Sequence, residues 1–331
     1  MSEPLLSIRR LTAEFTLQQR GAPDRVARAL EDVSFDMLPG QTVGLVGESG
    51  CGKTTTLLAA MRLLPANGRI TSGEVRYKGK DLLTLSEREM REYRWKEMSI
   101  VFQGAMNALN PVMKVGDQIA EAITLHHLMD RQQVEARVIE LLELVGIPRS
   151  RRDQYPHQYS GGMRQRAMIA MALACKPSLL FADEPTTALD VMIQAQVLEL
   201  LRHIQQTLGL AIVLVTHDLG VVAEVCDSVV VMYGGKVAEC GTADQIYNHA
   251  QHPYTQRLLA SFPDLERPGM QLASIPGTPP RLTELPSGCR FSPRCDVKLD
   301  LCMEVDPPAV KLEEGHVAAC HLRRGKEARS A

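Results

Sequence analysis

The chain has 331 residues, 45% of them hydrophobic, with 37 basic and 39 acidic side chains for a formal net charge of −2. That length supports one sizeable core and a smaller appendage. The balanced charge gives no electrostatic footprint for nucleic acid, which normally wants a basic face, and the short group Arg149, Arg151 and Arg152 reads as solvated surface. No apolar run reaches the ~18 to 20 residues needed to cross a bilayer; the stretch from Leu210 is cut by His217 and Asp218. Met1 to Arg10 lacks the basic-then-apolar pattern of a secretory signal, so the expected compartment is the cytosol, with reduced thiols.

In chain order, Thr42 to Val46, Met98 to Phe102, Ser178 to Ala182 and Ala211 to Val215 are continuously apolar, which predicts strands buried on both faces. Helical patterns separate them. Ile193, Val197, Leu200, Leu201, Ile204 and Leu208 recur at helical spacing and stop at Gly209, a suitable C-cap. Alternation of strand and helix predicts an α/β fold with a mainly parallel sheet. Between about residues 86 and 165 helical patterns dominate, with Val134, Val138, Leu141, Leu142 and Val145 marking one amphipathic face, and this region is expected to be a helical insert. Nine of the 19 prolines fall between Pro263 and Pro308, too many for long helices. The expected division is a main domain over 1–260 and a small irregular accessory domain over 261–331. The absence of a convincing internal repeat excludes two fused copies of the main unit.

Gly47, Glu48, Ser49, Gly50, Cys51, Gly52, Lys53 and Thr54 fit the phosphate-loop pattern G-x4-G-K-[ST], placed after a predicted strand and before the helical run that begins at Thr55. Glycines let such a loop turn its backbone N–H groups inward, and the helix N-terminus adds positive partial charge. Lys53 is expected to bind the β- and γ-phosphates and Thr54 to ligate Mg²⁺. Cys51 lies beside the nucleotide in this reading, a thiol-sensitive position with a spectator side chain. The strand candidate at Ser178 to Ala182 delivers Asp183 and Glu184, adjacent carboxylates that a cation or distinct roles must separate: Asp183 suits the Mg²⁺ shell and Glu184 the polarisation of water. Gln103 and His217 follow two other predicted strands, which places four polar groups at the carboxyl edge of one sheet, where open α/β folds bind ligands. Gln103 joins Thr54 and Asp183 in the expected Mg²⁺ set.

Tyr159, Ser160, Gly161, Gly162, Met163, Arg164, Gln165 and Arg166 resemble the signature sequence of ATP-binding-cassette proteins. Ser160 is a good N-cap, the glycines leave backbone N–H groups accessible, and a helix follows, which together make an anion site. The resemblance spans residues 5 to 260 in the order phosphate loop, Gln103, signature, Asp183-Glu184, Ala188-Leu189-Asp190 and His217. It implies a phosphate-loop NTPase core in which two subunits sandwich ATP, with Ser160, Gly161 and Gly162 acting across the dimer interface. It implies also that Asp190 holds that interface and that His217 contacts the γ-phosphate and positions water. Phe15 is a candidate to stack on adenine, or else a core phenylalanine.

Phe102 to Pro111 and His252-Pro253-Tyr254-Thr255 resemble the dipeptide and oligopeptide import subfamily, as does the proline-rich tail. That resemblance implies an ATPase powering peptide import from the cytoplasmic face of the cell membrane as a peripheral subunit. Its partners would be a second ATPase subunit, by expectation a paralogue, two transmembrane permease subunits and a substrate-binding protein. Met106 to Pro111 is the candidate contact for a membrane partner. Nickel chelates, glutathione and sugars are the alternative substrates, and a soluble cassette ATPase acting on DNA or ribosomes is the alternative class.

Four of the eight cysteines, Cys289, Cys295, Cys302 and Cys320, fall within 32 residues. They supply four soft ligands, enough for a structural Zn²⁺ or a [4Fe–4S] cluster. The C-x2-C pairs common at zinc sites are absent, and the resembled subfamily's tail is associated with an iron–sulfur cluster, so the cluster is the expected occupant, with zinc or unliganded reduced thiols as the alternatives.

Overall fold

The structure is a computed structural model that describes residues 3–18, 23–104, 108–126, 130–187, 189–261 and 274–326. The chain forms two compact units, one of Met1–Met37, Val43–Leu83 and Thr216–Ala331, the other of Leu38–Thr42 and Thr84–Val215.

The first unit opens with a long antiparallel pair, β1 (Leu6–Leu17) and β2 (Arg25–Met37). Leu6, Ile8, Leu11, Leu30, Val33 and Met37 turn inward and are fully buried, whereas Arg9 and Asp36 pair on the outside at 2.6 Å. Then come β3 (Thr42–Val46), α1 (Lys53–Ala60), β4 (Gly68–Tyr77) and β5 (Lys80–Asp81). An antiparallel sheet of order β2-β1-β4-β5 results, and α1 packs on β1 and β2. This sheet adds to the mainly parallel one expected from the apolar runs. Its strands carry one buried and one wet face, the pattern of antiparallel sheets.

The second unit contains α2 (Glu87–Tyr93), β6 (Met98–Val101), α3 (Val115–Leu125), α4 (Arg131–Leu144), α5 (Gly161–Ala172), β7 (Leu179–Asp183), α6 (Val191–Leu208) and β8 (Ala211–Val215). β6, β7 and β8 are parallel neighbours, registered Met98 with Leu179 and Leu179 with Ala211. Every residue of β7 and β8 is buried, which is why these strands read as unbroken apolar runs. Capping boxes at Ser86 and Asp130 start α2 and α4. The helices α3, α4 and α5 pack on one another, and Ile119, Ala122, Val138, Leu141, Leu142 and Ile169 on them are fully buried. Gly209 closes α6 at φ 62°.

The chain then returns to the first unit with α7 (Leu219–Val225), β9 (Ser228–Tyr233), β10 (Lys236–Thr242), α8 (Ala243–His249) and α9 (Pro253–Ala260). After these come α10 (Leu301–Glu304), β11 (Ala309–Glu313) and β12 (His316–Ala319). β9 runs parallel to β3 and antiparallel to β10, and the β11–β12 hairpin adds to β10 through Glu239–Ala318 and Cys240–Val317. Glu239, fully buried, holds this junction: it meets His316 Nε2 at 2.8 Å and accepts the N–H groups of Gln251 and His252 at 2.7 and 2.9 Å. The helical pieces of the described tail are short, as its proline content requires. Among the described residues no helix is long and apolar enough to cross a membrane.

Candidate functional site

In the first unit, β3 ends at Val46 and the loop from Gly47 to Gly52 turns into α1. Gly47 has φ 145°, and a Cβ there would lie 2.2 Å from the Met232 carbonyl oxygen; at Gly52, φ 109°, it would lie 2.8 Å from that of Ala29. Both positions therefore demand glycine for backbone shape and for space. Lys53 is 6% exposed and curls back over the loop, donating to the carbonyls of Gly47 at 2.6 Å and Glu48 at 3.2 Å. Ser49, Gly50 and Thr54 are exposed, and Thr55 is half-buried. Cys51 is 4% exposed, and burial, opposed by Lys53, pushes its thiol pKa up. Its side chain is packed within the loop, with Lys53 Nζ 3.9 Å from its sulfur.

Glu48 is held from outside the loop. Its N–H donates to Tyr254 Oη at 2.9 Å, and its carboxylate receives both Nη atoms of Arg294 at 2.6 and 3.0 Å. His252 caps α9 by accepting the Tyr254 N–H at 3.0 Å, and Pro253 starts the helix, so the His-Pro-Tyr motif presents the tyrosine hydroxyl to the loop. Arg294 escaped sequence reasoning because nothing local ties position 294 to position 48. Tyr254 was visible, but only as a subfamily marker. His217, also in this unit, is exposed after β8, where Asp218 caps α7. Phe15, on β1, is half-buried and lies across Gly68, where a Cβ would meet its Cε1 at 2.7 Å; it is not a core phenylalanine.

The second unit brings Gln103 and Glu184 together. Gln103 Nε2 donates to Glu184 Oε2 at 2.7 Å, and the Thr187 hydroxyl donates to the same oxygen at 2.9 Å. Glu184 has φ 45°, an uncommon conformation for a carboxylate residue, and its N–H is fixed on the Val215 carbonyl at 2.9 Å. Asp183, 1% exposed, is the last residue of β7. Thr187 was not anticipated, since a hydroxyl three residues downstream carries no spacing signal of its own.

Ser160 caps α5 by accepting the Met163 N–H at 3.3 Å, with Gly161 and Gly162 forming the first turn. A Cβ at Gly162 would lie 2.8 Å from Ile193 Cγ2, so this glycine also admits the start of α6. Asp190 caps α6 through the Ile193 N–H at 3.0 Å. Ala188 and, in the candidate membrane contact, Met106 and Asn107 lie outside the described residues. The described part of that contact forms a turn whose backbone is held by buried Gln118, which accepts the Asn110 N–H at 2.8 Å and donates to the carbonyls of Asn110 and Met113, both at 3.0 Å.

Cys289, Cys295, Cys302 and Cys320 all line one small cavity, with Phe291 and Val297 among its apolar walls. Burial pushes the Cys289 thiol up to about 11 and raises Cys295 and Cys320. Ser292 Oγ and His321 Nδ1, on two further lining residues, are buried with no hydrogen-bond partner among the described residues. A polar or charged occupant would satisfy them. Among the described residues, no group of three or more His, Cys, Asp or Glu side chains converges as a single metal ion requires.

Residues 30–187 match the family model for the ABC transporter, and residues 238–302 match that for the oligopeptide/dipeptide transporter, C-terminal region. The dipeptide transport ATP-binding protein DppD of Bacillus subtilis is 47% identical, over 97% of this chain and 95% of its own. The oligopeptide transport ATP-binding protein OppD of Haemophilus influenzae is 44% identical, over 98% of each. A solved ATP-binding-cassette dimer in a post-hydrolysis state bound to ADP and Pi covers 72% of this chain and 98% of its own, with a TM-score of 0.63 and 26% identity. With such identity over nearly the whole of both chains, beside an intact phosphate loop and signature helix, the chain belongs to the ATPases of ABC transporters, in the branch that carries the oligopeptide/dipeptide C-terminal region.

Proposed function

We propose that the chain powers import of dipeptides or oligopeptides from the cytoplasmic face of the cell membrane, hydrolysing ATP while membrane subunits convert the cycle into alternating access. Residues 1–260 act as the nucleotide-binding domain, with 86–165 as its helical part, and 261–331 as the accessory domain. The observation that carries this reading is the presence in one chain of both anion-binding elements that a cassette dimer needs, the glycine loop around Lys53 and the Ser160-capped helix. Peptide as the substrate is supported by the C-terminal family match and by the names of the relatives. The ABC-transporter match and the peptide-transporter C-terminal region support a membrane permease and a substrate-binding protein as partners; in this reading the permease has two subunits and the second ATPase is a paralogue.

In this reading Gly47 to Thr55 cradle the phosphates, Lys53 exchanging its bonds to the loop carbonyls for bonds to the β- and γ-phosphates. Ser160, Gly161 and Gly162 close on the nucleotide from a second subunit, Asp190 holds the interface and Phe15 stacks on adenine. Thr54, Asp183 and Gln103 offer the hard oxygen ligands that Mg²⁺ takes, and that ion neutralises charge on the terminal phosphates. Glu184 polarises the attacking water and His217 helps to position it. The Gln103 and Thr187 hydrogen bonds orient the Glu184 carboxylate, and its backbone strain is that of a residue kept for its role.

Glu184→Gln keeps ATP affinity while turnover falls at least ~10²-fold, the usual cost of losing a general base. Single-turnover hydrolysis alongside equilibrium binding checks this, and normal hydrolysis would remove the role from Glu184. Lys53→Ala instead loses nucleotide binding.

In this reading the four cysteines would hold a [4Fe–4S] cluster that staples the tail. All four line one cavity, and cysteine thiolates are the ligands such a cluster takes. Anaerobically purified protein is then brown, with matching iron and sulfide. Colourless protein containing zinc would contradict the assignment.

A further inference from the structure

Glu48 is the one carboxylate in a loop built to receive a polyanion, and like charge beside the triphosphate opposes binding. It is not left unbalanced. The Arg294 side chain, 5% exposed, meets the 25% exposed Glu48 carboxylate as a fork, Nη1 to Oε2 at 2.6 Å and Nη2 to Oε1 at 3.0 Å. Its other three N–H groups are also placed: Nη1 donates to Tyr233 Oη at 3.2 Å, Nη2 to the Ile275 carbonyl at 3.3 Å and Nε to the Pro276 carbonyl at 2.7 Å. All five donors of the guanidinium therefore have acceptors, a set that no other side chain can reproduce.

The platform around this pair is equally fixed. Tyr233 and Tyr254 pack with ring centroids 4.6 Å apart, Phe291 stands edge-on to Tyr233 at 5.2 Å, and the Tyr254 hydroxyl takes the Glu48 N–H. Phe291 and Cys295 flank the 3-10 turn Ser292–Arg294, whose last residue is Arg294, and Cys289 lies three residues before it. Both the backbone and the side chain of the loop's second residue are thus held by the C-terminal half of the unit.

We propose that Arg294 is a positioning residue for the phosphate loop: it neutralises Glu48 and fixes that residue's place, so that the cysteine-bearing turn sets how tightly the loop binds nucleotide. The inference rests on the nucleotide-binding role of the loop. It assigns the tail a direct part in ATP affinity, distinct from any role in subunit assembly.

The test is equilibrium binding of ATP to the full chain, by calorimetry, in the parent, Arg294→Ala, Arg294→Lys, Glu48→Gln and the double variant Arg294→Ala/Glu48→Gln. Losing a charge-assisted fork and exposing a carboxylate to the triphosphate raises Kd for ATP about tenfold or more in Arg294→Ala. Arg294→Lys recovers only part of this, because an ammonium cannot fork. The double variant recovers most of it, because the unbalanced carboxylate is gone; a merely structural role for Arg294 would give no such rescue. Parent-like affinity in Arg294→Ala, or a weakening that Glu48→Gln does not relieve, overturns the proposal. Should Arg294→Ala fail to fold, the double variant against Glu48→Gln, with Arg294→Lys, carries the same comparison. A parent chain that binds no ATP would instead contradict the nucleotide reading itself.

Discussion

The phosphate loop shows how differently its glycines are constrained. An alanine at Gly47 would put its Cβ 2.2 Å from a backbone oxygen that cannot move away, whereas at Gly50, φ 77°, none of the described residues lies within 4 Å. Gly47→Ala therefore abolishes ATP binding and lowers Tm by several degrees, while Gly50→Ala carries only the left-handed penalty of about 1–2 kcal/mol. Thermal melts and ATP titrations of the two variants check this; equal effects would show that the close approach to Met232 is not what fixes Gly47. The loop's residue types and order were legible in the sequence because short-range backbone geometry dictates them. Its partners were not. Arg294 and Glu48 lie 246 residues apart and meet only through the fold, and Thr187 reaches Glu184 by a local turn that leaves no periodic trace.

Among the elements, the strands read most plainly: Thr42–Val46 and Ala211–Val215 have the expected bounds, Met98–Val101 ends one residue early, and Leu179–Asp183 is displaced by one residue at both ends. Strands buried on both faces are unbroken apolar words, so their limits are sharp. The antiparallel sheet of the first unit was hidden because β1 and β2 alternate with shifts of register between Ile8 and Glu14, which blurs a period of two. The turn at Asn110–Met113 is a different case, an irregular segment with its own bonds from the Met113 and Val112 N–H groups to Asn110 at 3.3 and 3.2 Å, and braced further by the buried Gln118 amide. Gln118→Ala strips three hydrogen bonds from that turn and should cost about 2–3 kcal/mol. The measurement is the denaturation midpoint at unchanged m-value. An unchanged midpoint would mean that the turn holds itself.

At the scale of the whole molecule, the tail is the part least legible in advance. Its prolines announced short elements and its cysteines announced a site, yet neither pattern revealed that the hairpin β11–β12 would extend the sheet through β10 or that buried Glu239 would anchor it to His316. Both depend on pairings more than 70 residues apart, beyond the reach of local pattern. The consequence is that tail and nucleotide loop belong to one compact unit. ATP affinity and the integrity of the cysteine-bearing turn are then linked, as the Arg294 variants would reveal. The central claim remains that this ATPase drives peptide import. Its most direct test is the ATPase rate of the affinity-captured membrane assembly, with and without a binding protein loaded with short peptides. The account predicts stimulation by the peptide-loaded form; an assembly whose hydrolysis ignores it, or capture of ribosomes or DNA in place of membrane subunits, would contradict it.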